Sequence, residues 1–416
     1  MRTVVALVLL CLSGCAAPEP VTLTVWHAWN GMDEELLKGG AAVYRMSQPH
    51  VSIAVQRFGS IGELRSAFVK SDQPIPDLIL GPSDWTGDLV ARGRIAPLDP
   101  YLPRSERADF LPIGLDGVSV GGVLYGLPVT LETVALFYNT QLVPKPPATL
   151  RELELIARQF THPQRNEFGL AYDLASPYPN AAWFNGAGAT WIDGNGRPSL
   201  ETVEARAALA IIRRLGGRDG VALPRKLFND TLIHTLFGIG KIAMIIDGPW
   251  AMADLRNYSV PFQVTRLPRI EAEPGSPGPG RWAAPFVGSQ ALFLNARSFA
   301  WREAARFAVA LASPELQHDL ANRAGRLPSR RSVQVFPDIE ADPVLGGFLD
   351  QVSIGRPMPN RPELMAVWTP LRYDLLEPVL DGRDVRRAQS RAQARVEEGI
   401  RLIHEELETR VRERRP

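Results

Sequence analysis

Between residues 21 and 92, three short β-forming runs alternate with three amphipathic stretches of helical length. A chain with that order buries its apolar faces by layering helices on a sheet, so an α/β fold follows. Val21–Trp26 alternates and is rich in β-formers, and Val51–Val55 is a second strand. Pro76–Gly81 is a continuous apolar run closed by glycine, the pattern of a strand covered on both faces in a parallel sheet. Asp33–Ser47 sets Leu36, Leu37, Ala41, Val43 and Tyr44 along one helical face; Ile61–Ser71 and Asp84–Arg92 are the next two helices.

Beyond this unit, Gly122–Pro128 and Thr133–Asn139 read as a hairpin and a strand. Leu150–Phe160, Leu200–Leu215 and Leu227–Gly238 have helical spacing, Lys241–Asp247 is an apolar strand and Trp250–Arg256 a helix. Glu271–Arg281 is rich in Gly and Pro and reads as a surface loop. Gln290–Asn295 is a strand, Arg302–Ala312 and Pro314–Ala324 are helices, and residues 364–415 are mostly helical. The last part, Arg383–Pro416, holds ten arginines against seven acids with mixed signs at helical spacing, which reads as a solvated helix. At 416 residues the chain has room for two or three domains. A net charge of +1 gives no electrostatic case for nucleic acid.

The N-terminus carries Arg2, an apolar run from Val4 to Leu12, then Ser13-Gly14-Cys15. This is the layout of a secretory signal peptide, too short to span a bilayer as a permanent helix. Leu12-Ser13-Gly14-Cys15 resembles a bacterial lipobox, which implies removal of residues 1–14 and lipidation of Cys15, with residues 15–21 as anchor and tether. Cys11 leaves with the signal, so the mature fold holds no disulfide, thiol nucleophile or thiol metal site.

Five segments, in order, then resemble the extracellular solute-binding proteins of ABC sugar importers (family 1), most closely the maltose/maltodextrin-binding branch. They are Trp26-His27-Ala28-Trp29; Gly126-Leu127-Pro128 with Glu132 and Leu136-Phe137-Tyr138-Asn139; Gly240 through Asp247-Gly248-Pro249-Trp250; Gly325-Arg326-Leu327-Pro328-Ser329-Arg330; and Met358-Pro359-Asn360 with Trp368. The resemblance implies a two-lobed α/β periplasmic-binding-protein-like fold of type II, with ligand in the inter-lobe cleft and closure by hinge motion. It implies crossings near Thr130–Glu132, Phe286–Gly288 and Arg326–Pro328. The lobes would then be 22–131 plus 289–327 and 132–288 plus 328–416. It further implies a monomeric binding subunit, lipid-anchored on the periplasmic or extracellular face of the membrane. Its partners would be a sugar, an ABC permease and a cytoplasmic ATPase.

A sugar ring offers a face of C–H groups and an edge of hydroxyls, so its site needs aromatic surfaces together with carboxylates, amides or guanidinium groups. By position in the resembling segments, Trp250, Trp368 and Tyr178 stack on sugar and Glu132 takes hydroxyls. Asp84 and Trp85 follow the glycine-ended strand, where α/β folds place ligands, although Asp84 suits a helix cap as well. Trp29, Asn30 and His27 occupy the loop after the first strand, and Arg330 is a candidate hydroxyl clamp.

The pattern also departs from the best-known maltose binders. Asn30 and Gly31 stand where those carry Asp and Lys, Gly81 stands near an aromatic position, and Ser176 near an acidic one. Maltose, maltodextrin, trehalose, glucosylglycerol and other α-glucosides therefore stay open as ligands. A ligand-gated sensor or accessory lipoprotein with this fold stays open too, as does a non-sugar solute.

No nucleotide-binding glycine motif or H-E-x-x-H occurs, and the six histidines are scattered. The chain reads as a binder and not an enzyme, with no metal or cofactor implied.

Overall fold

The computed structural model describes residues 19–70, 75–218, 220–271 and 280–413; Cys11, Cys15 and most of the 271–281 loop lie outside it. Strand β1 (Val21–His27) pairs in parallel with β2 (Val51–Arg57) after helix α1 (Gly31–Ser47). On its other side β1 pairs with β3 (Leu78–Pro82), reached through α2 (Ile61–Lys70). Both strand connections are helical crossovers, as parallel pairing requires. A three-residue turn, Ser83–Trp85, leads into α3 (Thr86–Ala91).

Strand β4 (Gly126–Glu132) is buried along its whole length and passes almost directly into β5 (Ala135–Asn139), which belongs to a second sheet. That sheet is completed by α4 (Leu150–Phe160), β6 (Phe168–Ala171), α5 (Pro177–Ala187), α6 (Val203–Gly216), α7 (Asp230–Gly238), β7 (Ile242–Asp247) and β8 (Phe262–Thr265). Its strand order is β8-β5-β7-β6. The chain returns to the first sheet as β9 (Phe286–Asn295), antiparallel to both β3 and β4. Helices α8 (Trp301–Leu311) and α9 (Pro314–Ala324) follow, then the short β10 (Leu327–Pro328) on β4. The first sheet thus runs β10-β4-β9-β3-β1-β2.

Each sheet owns a core. Leu23, Val25, Leu80 and Phe293 lie in the first, and Leu136, Leu170, Trp183 and Met244 in the second. A further layer under the second sheet packs Phe348 edge-on to Phe137 at 5.4 Å. Residues 329–332 stay with the first lobe. Leu111 N–H donates to Ser329 O at 2.8 Å, and Ser332 N–H donates to the Asp109 carboxylate at 2.8 Å.

The last helix, α10 (Val385–Glu413), buries Ala388, Ala392, Val396 and Ile400 against the second lobe. Its final turns cross to the first lobe, where Glu406 pairs with Arg92, itself held by Asp88 at 2.8 Å. Among the described residues no helix is long and apolar enough to cross a membrane.

Two elements differ from the sequence expectation for identifiable reasons. Pro177-Tyr178-Pro179 is not among the expected helices, yet it opens α5, because proline at a first helical position forfeits no hydrogen bond. Gly188, at φ +93°, then closes that helix. Strand β6 is four residues without a β-branched side chain, and tertiary packing makes it a strand. At Gly169 a Cβ would sit 2.1 Å from the Ala157 carbonyl oxygen of α4. Gly169→Ala is accordingly expected to force α4 off the sheet and cost about 1–3 kcal/mol. Urea unfolding should show a lower midpoint at unchanged slope.

Candidate functional site

The cleft opens where the parallel strands β1 and β3 end, the position at which open α/β sheets gather ligands. Its volume is about 580 Å³. The first lobe supplies Trp29 and Asn30 after β1, Asp84 after β3 and Ser289 in β9; the second supplies Tyr178, Trp250 and Trp368; Glu132, at the end of β4, stands between them.

The floor is ionic. Arg326 is buried, and its Nε donates to Asp33 Oδ1 at 3.0 Å. Its Nη1 lies 3.3 and 3.4 Å from the two Glu132 oxygens. Thr130 Oγ1 donates to Glu132 at 2.8 Å. Burial pushes the Glu132 carboxyl upward, and the Arg326 charge pulls against that shift. Asp84 is also buried, and desolvation raises it to about 6, against the opposing effects of Arg65 and a hydrogen bond from Trp368.

The walls are aromatic. Gly248 leaves room for the Trp250 indole to fold back over the turn after β7; a Cβ there would meet the ring at 2.2 Å. Trp250 remains 37% exposed, with its ring 6.0 Å from Tyr178. Trp368 is fixed edge-on against Trp191 at 5.5 Å, and Trp191 against Phe286 at 5.0 Å. Trp29 lies beneath the Arg326 guanidinium, 5.9 Å from its ring centre.

Three buried polar atoms lining this space have no hydrogen-bond partner among the described residues: Trp29 Nε1, Tyr178 Oη and Ser289 Oγ. An unmade buried hydrogen bond costs about 1–3 kcal/mol, so a cleft with three of them is built to meet a polar ligand.

Seven of the sequence candidates gather here: Trp29, Asn30, Asp84, Glu132, Tyr178, Trp250 and Trp368. Three do not. His27 is wholly buried at the end of β1, where desolvation lowers its pKa and favours the neutral ring. Trp85 turns into the first core, its ring filling the space over Gly81, where a Cβ would come within 2.4 Å. Arg330 stacks on Phe110 at 4.1 Å and bonds to Glu106 and Asp109, away from the cleft. Sequence reasoning missed Asp33, Arg326, Asp230 and Ser289. Arg326 stood in the Gly325–Arg330 segment, but nothing local distinguishes it from Arg330.

Two lobes around a cleft of aromatic walls and charged floor define a protein whose work is capture of a small polar ligand. The profile of the bacterial extracellular solute-binding proteins matches residues 46–346, and the chain belongs to that family. It is 25% identical to the maltotriose-binding protein of Pyrococcus abyssi, over 83% of this chain and 75% of the relative. It is 23% identical to a maltooligosaccharide ABC transporter solute-binding lipoprotein of Streptococcus pneumoniae, over 94% and 90%. The maltose/maltodextrin-binding domain from Bdellovibrio bacteriovorus bound to maltotriose superposes with a TM-score of 0.81 at 26% identity, over 91% of this chain and 100% of that one. The Thermus thermophilus maltotriose-binding protein gives 0.80 at 27%, over 92% and 100%.

Removing Arg326 leaves two buried carboxylates unpaired, a loss of about 3–5 kcal/mol for a broken buried pair. Arg326→Met should show that loss by denaturant unfolding at pH 8. Without the guanidinium the buried Glu132 carboxyl binds its proton more tightly, so the deficit present at high pH should shrink as pH falls towards 5.

Proposed function

We propose that this protein binds a maltooligosaccharide as the capture subunit of an ABC importer. The observation that carries the reading is one cleft holding Trp250, Trp368 and Tyr178 opposite Asp84, Glu132 and three unpartnered polar atoms. Aromatic faces suit the C–H surfaces of glucose rings, and the polar atoms suit hydroxyls that both donate and accept. Relatives and solved structures covering nine-tenths of the chain are named for maltooligosaccharides and maltotriose, which supports the same class of ligand here.

In this reading Trp250, Trp368 and Tyr178 stack on sugar rings. Asp84, Glu132 and Asn30 accept hydroxyl protons, and Trp29 Nε1 donates. The moving bodies are 22–131 with 289–334 and 132–288 with 335–416, the first taking the contacts of residues 329–332 described above. Ligand favours the closed form only through contacts made to both bodies at once. The closed protein then delivers its cargo to a permease driven by a cytoplasmic ATPase. Cys15 carries the acyl chains that hold the protein at the membrane.

Calorimetric titration with maltose, maltotriose, maltotetraose and trehalose tests the reading. Trp250→Ala and Trp368→Ala should each weaken binding of the preferred sugar about tenfold to a hundredfold, the range of one lost ring contact in a pocket. No heat and no thermal shift with any glucoside would sink the sugar assignment.

A second titration series checks the acid. A sugar hydroxyl donating to Asp84 favours the ionised carboxylate, whose free-state pKa is about 6. Affinity should therefore hold above pH 7 and decline as pH falls through 6, by up to tenfold per pH unit. Asp84→Asn should bind more weakly at pH 7.5 and lose that step in the profile.

A further inference from the structure

The end of the first sheet remote from the cleft has its own chemistry. Register fixes the geometry: Leu294 of β9 lies opposite Leu78, and Leu78 opposite Val25. The exit of β9 and the entry of β1 at Val21 therefore share one end of the lobe. Just past β9, Phe299 is 96% exposed and Trp301 44% exposed. Trp301 stands edge-on to Tyr101 at 5.9 Å, with the Arg302 guanidinium 5.0 Å from its ring.

Beside this knob lies a hollow of about 440 Å³ lined by Lys70, Arg92, Arg94, Arg297, Arg410 and Glu406. Asp88 and Glu406 take up Arg92, and Arg94 donates to the Phe68 carbonyl, so part of the charge is met internally. Lys70, Arg297 and Arg302 are all exposed on this end. An aromatic knob bordered by cations is the composition of a surface that lies in a bilayer interface, with rings at headgroup depth and basic groups on anionic lipid.

We propose that this end of the first lobe is a contact surface for an anionic lipid bilayer. Phe299 and Trp301 enter the interface, and Lys70, Arg297 and Arg302 meet the headgroups. The position of the chain start selects a bilayer as the occupant. From Cys15 to Val21 a fully extended chain spans about 20 Å, so a lipid on Cys15 holds this end within that distance of the membrane. The proposal rests in that respect on the anchor reading above.

The test uses the mature chain from Cys15, produced without acylation, floated with vesicles of phosphatidylcholine alone or containing a third phosphatidylglycerol. Binding to the anionic vesicles is expected, weakened by salt. Phe299→Ser should lower the partition coefficient about fivefold or more, and Arg302→Gln about fivefold, for one cation near the surface. Both sites lie outside the cleft, so an unchanged sugar-induced thermal shift certifies the fold. Binding indifferent to lipid charge, unchanged in Phe299→Ser or absent altogether overturns the proposal. The intact mass of protein purified from its native membrane separates the two readings. An unacylated mass with vesicle binding retained removes the anchor and leaves the surface. An acylated mass without vesicle binding removes the surface and leaves the anchor.

Discussion

The cleft depends on one buried guanidinium. Arg326 joins Asp33 of α1 to Glu132 at the first crossing between lobes, and its own segment leads into the third. Two carboxylates in that position repel each other; with Arg326 between them they stay together under the ligand space. The price is strict geometry, since the pair is worth keeping only while every donor and acceptor is met. Thr130 supplies one such bond from the same strand. The floor is thus both the joint of three chain segments and the polar surface of the site.

Against that rigid floor the walls are graded. Trp368 is held by a ladder of edge-on rings through Trp191 to Phe286, while Trp250 stands over a glycine at the surface of its turn. Trp368 and Asp84 line the same cleft from opposite lobes. A ligand hydroxyl entering this cleft meets the buried Asp84 carboxylate. Buried polar atoms left unpartnered at Tyr178 and Ser289 give it company. Such an arrangement stores unmet hydrogen bonding until something polar and flat-faced arrives.

Much of this was legible in the chain. Alternating runs at 21–92 required an α/β lobe, and Gly248-Pro249-Trp250 marked an aromatic that only a small preceding residue accommodates. What stayed hidden was long-range pairing. Asp33 and Arg326 are 293 residues apart, and no local pattern says which arginine of Arg326 and Arg330 turns to the cleft. Trp85 looked like Trp29 in sequence, each just after a strand, but Gly81 admits its ring into the core. Helix α5 escaped because proline is read as a breaker, although it suits a first helical position.

The terminal helix has a mechanical meaning for a hinged molecule. It is clamped to one lobe through Ile400 and touches the other at Glu406, so its free end is a rigid arm projecting about 15 Å from Ile400 to Arg410. Any rotation between the lobes swings the tip of that arm by a distance that grows with its length. In the lobe closure proposed above, a small angular change at the cleft would thereby bear on a single ion pair, Glu406 with Arg92, on the outer flank of the molecule. The arm is a pointer whose scale is read on the first lobe.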